Sequence, residues 1–354
     1  MKTHIGTYCR ECIFLAISVY SELFPPFLGT LTLLSFLPAF LYGCDVPKAS
    51  PTIKAEAVTR ISMASASGRI EDLDIFVFRD DRLQKLDCYQ KVDAPSAWNN
   101  ELISSSGDRI IVVCANTGRT MEDWFSISSL SWLERLTMSL EDEDLRHPFL
   151  SGTATVSAED EEEDTDILLR PLFSIVELRS IRCDFSERPY AGESLEDVKV
   201  YLTNVNAECA ILDSAGILPS RIINAGGLRE EDMQIFPDPS VIYREIDGSI
   251  KASPAYPDIQ LACYPNNSIS EGPGTPFTRL VIEAKVQGET FYWPLDINRT
   301  GGGQGIGRNE RYIFDLTVTR KGTKDPDIPV RTEDIDIKFS IEKWDEKEDC
   351  SIMF

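Results

Sequence analysis

The chain has 354 residues, long enough for two domains of ordinary size, and its 42% hydrophobic residues suffice for a core in each. That composition excludes a disordered protein. The formal net charge of −23 repels phosphate backbones and argues against a nucleic-acid partner.

The N-terminus reads as an export signal. Lys2 and Arg10 precede a long apolar run, Phe27 to Tyr42, interrupted by Pro38. From Phe27 the run is about 16 residues, short of the roughly 20 a membrane-spanning helix needs, and Pro25, Pro26 and Pro38 break it. It ends in Leu41-Tyr42-Gly43-Cys44, which resembles the bacterial lipobox, although Tyr42 is bulkier than usual there. The motif implies a signal peptide of residues 1–43, cleavage between Gly43 and Cys44, and a lipid on Cys44 that tethers a polypeptide outside the cytoplasm. Export favours disulfides. However, Cys88, Cys114, Cys183, Cys209, Cys263 and Cys350 show no C-x-x-C spacing. Cys114 in IIVVCAN and Cys209 in NVNAECAIL sit in apolar, strand-like runs, where buried free thiols are expected.

Residues 50–67 read as a tether followed by a first strand. In RIEDLDIFVFRDD, Leu73, Ile75 and Val77 share a face, and RIIVVC, Arg109 to Cys114, reads as a central strand. A helix is predicted next, from the capping box at Ser131-Trp132-Leu133-Glu134 and the spacing of Leu133, Leu136 and Leu140. The acidic run Ala158 to Asp166 lacks the spacing of an EF-hand loop and reads as a solvated hairpin tip. Strands resume over Ile167 to Phe185 and Leu195 to Asp213. The change of composition at 214–227 marks a predicted linker between an N-terminal domain, 44–213, and a C-terminal one, 228–354. Six strand candidates with almost no helix signal follow: VIYREI, IQLACYPN, TRLVIEAKV, ETFYWPLDI, RYIFDLTVTR and EDIDIKFSIEKW. The fold class is therefore mainly β: an antiparallel sandwich or barrel-like unit in the C-terminal half, and a similar sheet decorated by the helix in the N-terminal half.

Chemistry is hard to find. GGGQGIGRNERY, Gly301 to Tyr312, has Arg308-Asn309 where a phosphate-binding loop needs Lys and Ser or Thr, and a strand follows where a helix is required. It reads instead as a hairpin connection between FYWPLDI and RYIFDLTVT. His147 is the sole histidine after the signal, with no nucleophile context such as G-x-S-x-G around any Ser. Carboxylate pairs of glycosidase type carry no specificity among 58 acidic residues. Phe291-Tyr292-Trp293 could stack on sugars, but one face of an alternating strand is more often core. No catalytic, metal or cofactor site is assigned.

Taken together, IEDLDIFVFRDDRL, RIIVVCANTG, VYLTNVN, LACYPN, GRNERYIFDLTVTRKGTKDPD and EDIDIKFSIEKW, in that order behind the lipobox, resemble the FimB-type fimbrial subunit family of Bacteroidales, which supplies anchor and tip subunits of type V pili. The resemblance covers nearly the whole mature chain. It implies two tandem transthyretin-like β-sandwich domains, the first with the helix insertion, and a lipoprotein carried to the outer membrane with palmitate on Cys44. It also implies partnership with other fimbrial subunits by strand exchange, with no enzymatic activity and no cofactor. In polymerising subunits of such pili a trypsin-like protease releases the first strand, and Arg60 in AVTRIS and Arg69 in SGRIED are the candidate sites here. Asp213-Ser214-Ala215 resembles the O-glycosylation motif of these bacteria, which makes Ser214 a candidate acceptor. Only ten residues follow Trp344, so a terminal subunit is expected rather than a stalk repeat: an anchor first, a tip subunit or adhesin second. A surface glycan-binding lipoprotein is the reading from another class, and Trp98 in WNNEL is its best loop aromatic.

Overall fold

The computed structural model describes residues 56–65, 70–93, 99–105, 107–157, 162–212, 219–272, 274–299, 302–330 and 335–343. Cys44, Gly43, Arg69, Ser214, Trp98, Cys350 and residues 158–161 of the acidic run lie outside them; the rest of that run, 162–166, is paired strand rather than a hairpin tip.

Five strands open the fold: β1 (Glu56–Ser65), β2 (Asp72–Arg79), β3 (Leu86–Asp93), β4 (Asn99–Ser105) and β5 (Arg109–Ala115). A loop region with β6 (Thr137–Ser139) separates them from β7 (Leu150–Val156) and β8 (Glu162–Pro171). Seven of these strands form one sheet in the order β3-β2-β5-β7-β8-β1-β4, antiparallel throughout except that β1 runs parallel to β8. Both faces of its centre are apolar, because β5 is buried along its whole length. Leu73, Ile75, Val77, Ile111, Val113, Ile167 and Leu169 fill one core. Phe76, Phe78, Ile110, Val112 and Cys114 point the other way into a second core, where the 117–149 loop region covers them with Trp124, Leu130, Leu133 and Leu140. A strand buried on both faces reads as a continuous apolar run, and RIIVVC does.

The predicted helix shrinks to a single turn, Leu130–Leu133, with Ser129 at its N-cap position in place of Ser131. The next residues extend instead, because Thr137–Ser139 pairs with Glu208–Ala210. The leucine stripe is still core: Leu133 and Leu140 are buried and Leu136 packs against them. Spacing of three and four residues suits a loop folded over a sheet as well as a helix.

The C-terminal sandwich contains β9 (Ser174–Cys183), β10 (Glu196–Thr203), the short β11 (Val205–Asn206), β12 (Glu208–Ala210) and β13 (Ile222–Ile223), then β14 (Tyr243–Ile246), β15 (Ile259–Cys263), β16 (Arg279–Val286), β17 (Glu289–Asp296), β18 (Glu310–Val318) and β19 (Ile335–Lys343). All six strand candidates of the C-terminal half are strands. They make two four-stranded sheets, β14-β10-β16-β17 and β15-β9-β18-β19. Val200, Leu202, Ile282 and Trp293 from one sheet meet Val176, Leu178, Tyr312, Phe314 and Leu316 from the other in the second core. β9 and β10, on the N-terminal side of the expected 214–227 linker, pair with β15, β18, β14 and β16. Sheet membership therefore changes at Leu172-Phe173. The apolar residues Ile167 to Leu169 and Leu172 to Val176 lie on both sides of that point, and what differs between β8 and β9 is their distant partners.

The glycine loop is not a hairpin. β17 belongs to one sheet and β18 to the other, so 297–309 crosses the edge of the sandwich. Asn298 and Gly305 exchange hydrogen bonds (2.9 and 2.8 Å), Arg299 donates to the carbonyls of Asn266 and Ser268 (2.8 and 2.6 Å), and Tyr312 Oη accepts from the Gly307 amide. A Cβ on Gly303 would stand 2.3 Å from the Asn298 carbonyl oxygen, and Gly305 has φ of +84°, so glycine is needed for close packing.

Candidate functional site

Strand β1 carries Arg60, one of the two candidate processing sites. It lies inside the sheet, in register with β4 from Glu56↔Ser105 to Ser62↔Asn99 and with β8 from Val58↔Glu162 to Ser65↔Leu169. β4 joins the sheet's strand order only through β1. Removing β1 would expose two rows of unpaired backbone groups at once and leave a slot one strand wide beside the core lined by Ile167 and Leu169. Of the two candidate processing sites, Arg60 falls in the middle of β1, where Arg60↔Glu101 and Arg60↔Asp164 are in register. Arg69 follows the last residue of β1 in the chain, outside the described residues. A cut after Arg60 would leave Ile61 to Ser65 in the sheet, whereas a cut after Arg69 would separate the whole strand from the rest of the chain.

Among the described residues, no constellation of catalytic type forms around His147 or the Phe291-Tyr292-Trp293 aromatics. His147 is half-exposed and faces carboxylates, with Nδ1 3.2 Å from Asp144 and Nε2 3.7 Å from Glu71. Trp293 is buried and donates its indole N–H to the Arg320 carbonyl (3.0 Å), and Phe291 is capped by Lys324, whose Nζ lies 3.7 Å from the ring centre, so these aromatics are core rather than platform. A concavity of ≈ 600 Å³ on the outer face of β10, β14 and β16 is lined by Glu196, Asp197, Lys199, Glu245, Glu283 and Lys285. Lys285 is bound to Asp197 (2.7 Å) and Lys199 to Glu283 (3.4 Å), a solvated ionic surface. Among the described residues no group of His, Cys, Asp or Glu is arranged to hold a metal ion, and no helix is long and apolar enough to cross a membrane.

Three polar clusters were not visible in the sequence. Arg279 is 2% exposed and binds Asp296 (2.8 Å), Asp327 (2.7 Å) and both oxygens of Glu271 (2.7 and 2.8 Å). Buried Asp74 accepts from Tyr89 Oη (2.6 Å) and Thr117 Oγ1 (2.5 Å). At the seam between the seven-stranded sheet and the sandwich, Glu143 accepts from Tyr264 Oη (2.7 Å) and the Phe149 amide (2.8 Å). Nearby, Arg308 donates to the carbonyls of Arg170 (2.6 Å) and Pro171 (2.8 Å) and to Ser151 Oγ (2.9 Å). Their partners are 6 to 157 residues apart in sequence, and no spacing rule connects them.

No family model matches the sequence, and no curated protein matches it. Solved structures do match. A cell adhesion candidate from Bacteroides eggerthii aligns over 82% of this chain and 96% of its own, with a TM-score of 0.61 and 16% identity. A fimbrilin from Porphyromonas gingivalis aligns over 81% and 97%, with a TM-score of 0.58 and 15% identity. The chain has the fimbrilin fold. A C-terminally truncated tip fimbrial protein, Mfa3, from Porphyromonas gingivalis aligns over 82% of this chain and all of its own, with a TM-score of 0.51 and 12% identity. These matches share the fold at 12–16% sequence identity.

Proposed function

We propose that the chain is a non-enzymatic structural subunit of a cell-surface fimbria, tethered to the outer membrane by lipid on Cys44 and joined to the next subunit by exchange of a β-strand. The observation that carries this reading is the fimbrilin fold, matched over 81% of this chain and 97% of the Porphyromonas gingivalis fimbrilin. Strand exchange is supported by the interior place of β1, whose slot an incoming extended segment could fill on both sides. The lipobox supports the tether, and retention of β1 separates an anchor from a processed subunit: a cut after Arg60 or Arg69 would free Cys44 and its lipid from the domain. Ser214 is proposed as an O-glycan acceptor. A tip subunit is the second reading, favoured by the match to a tip fimbrial protein.

Membrane fractionation of Cys44→Ala tests the tether, which requires release of the variant into the soluble fraction. Deletion of the gene separates the roles: longer, shed pili for an anchor, and rooted pili with altered adhesion for a tip. Pili unchanged in both respects would overturn the assignment.

A further inference from the structure

The C-terminal sandwich leaves one long edge open. β19 ends the sheet β15-β9-β18-β19, paired with β18 from Val318↔Ile335 to Glu310↔Lys343 without a bulge, and among the described residues nothing pairs with its other side. The other three edges are short or covered: β14 has four residues and β15 five, while Tyr292 and Pro294 of β17 bond through their backbones to Thr323 and Val330. Natural edge strands are blunted by proline, by bulges or by short length, and IDIKFSIEK has none of these. Its core-facing side is also incompletely covered. Ile335 is 1% exposed, Ile337 and Phe339 are half-buried, and Ile341 is 43% exposed, although Phe339 stacks on Tyr312 with 6.1 Å between ring centres.

We propose that β19 is a self-association edge, on which a second copy of this chain pairs antiparallel through the same strand. Charge selects the register. With Ser340 opposite its own copy, residues 337–343 overlap, Lys338 faces Glu342 of the partner copy twice over, and Phe339 faces Ile341. Within one chain Glu342 already lies opposite Arg311, and Lys338 opposite Asp315, so the pairing completes a row Arg311, Glu342, Lys338, Asp315 that alternates in sign across the joined sheets. The core-facing side gains an apolar row, Tyr312, Ile341, Phe339, Phe314, which covers the half-exposed end of the strand. Centring the pair on Phe339 would set Asp336 against Glu342, and centring it on Lys338 would set that lysine against its own copy. Both arrangements oppose like charges. The chain's net charge of −23 resists the approach of two copies, but at physiological ionic strength that repulsion is screened beyond about 8 Å, whereas pairs in contact are not. One strand pair is a small interface, so the association is of micromolar strength.

The test is sedimentation velocity of the mature protein carrying Cys44→Ala, which removes any association through lipid, from about 1 to about 100 µM. A monomer–dimer equilibrium is expected. Lys338→Glu and Glu342→Lys should each weaken it by about tenfold or more, and the two together should restore it, because the exchanged pair regains opposite charge. A monomer throughout would overturn the proposal, and so would a dimer indifferent to both reversals, since it would use another surface. Should the variants fail to fold, hydrogen exchange at amides 337–343 of the chain with β19 unaltered decides alone. Protection that grows with concentration supports the proposal. Protection that is the same at every concentration ends it and assigns the edge to the chain's own residues 344–354, and amides left unprotected throughout end it too.

Discussion

At the scale of single residues, Arg279 holds the end of the sandwich where β16 and β17 meet the loops around Glu271 and Asp327. Its removal leaves three carboxylates converging on an empty site. Breaking a buried ion pair costs about 3–5 kcal/mol, but these carboxylates are 27 to 43% exposed and regain water, so Arg279→Met is expected to cost nearer 2–3 kcal/mol by chemical denaturation. Asp327→Asn, at the rim, should cost less than about 1 kcal/mol. Cys114 and Cys263 are fully buried, and burial pushes both thiols up to about 12. A thiolate-seeking reagent such as iodoacetamide should therefore leave both unmodified in the native protein and label them only on unfolding. Labelling of either under native conditions would contradict the packing of β5 or β15. The buried thiol of Cys114 was legible from its apolar run, whereas Cys209, expected to be buried on the same ground, is only partly buried in the short β12. The role of Arg279 was not legible, because a buried guanidinium and a solvated one share the same local sequence.

At the scale of elements, β1 decides how the chain behaves. A protease needs several residues of free extended chain, and Arg60 is paired through its backbone on both sides. Limited trypsinolysis of the folded protein is therefore expected to leave the Arg60–Ile61 bond intact. Early cleavage there would mean that β1 leaves the sheet readily. Ile61→Pro removes an amide from a strand flanked by two others and should destabilise the fold by at least about 2 kcal/mol, read as a lowered denaturation midpoint. Strands with strict alternation were readable: in β18, Tyr312, Phe314, Leu316 and Val318 are all buried, as their spacing implies. The helix over Ser131 to Leu140 failed because apolar residues three and four apart also serve a loop lying on a sheet. The glycine loop failed as a hairpin because two strands adjacent in sequence can belong to opposite sheets.

At the scale of the whole molecule, the two apolar cores explain why sheet membership was hidden. One lies on one face of the seven-stranded sheet, and the other runs from that sheet's opposite face into the sandwich. Residues on β2 and β5 serve both, so their sequence reads as uniformly buried and says nothing about partners. The parallel pairs β1 with β8 and β9 with β18 join segments over 100 residues apart, beyond any local pattern. What was legible is the β class, the strand inventory of the C-terminal half and the resemblance to fimbrial subunits. The proposed anchor role requires that β1 and a lipid on Cys44 stay attached to the rest of the chain. Mass spectrometry of the mature N-terminus, on protein isolated from the cell surface, measures this directly. The expected result is an acylated Cys44 as first residue, with β1 retained. A terminus at Ile61 or Ile70 would contradict it, because a chain cut there has lost its tether and cannot be the anchor.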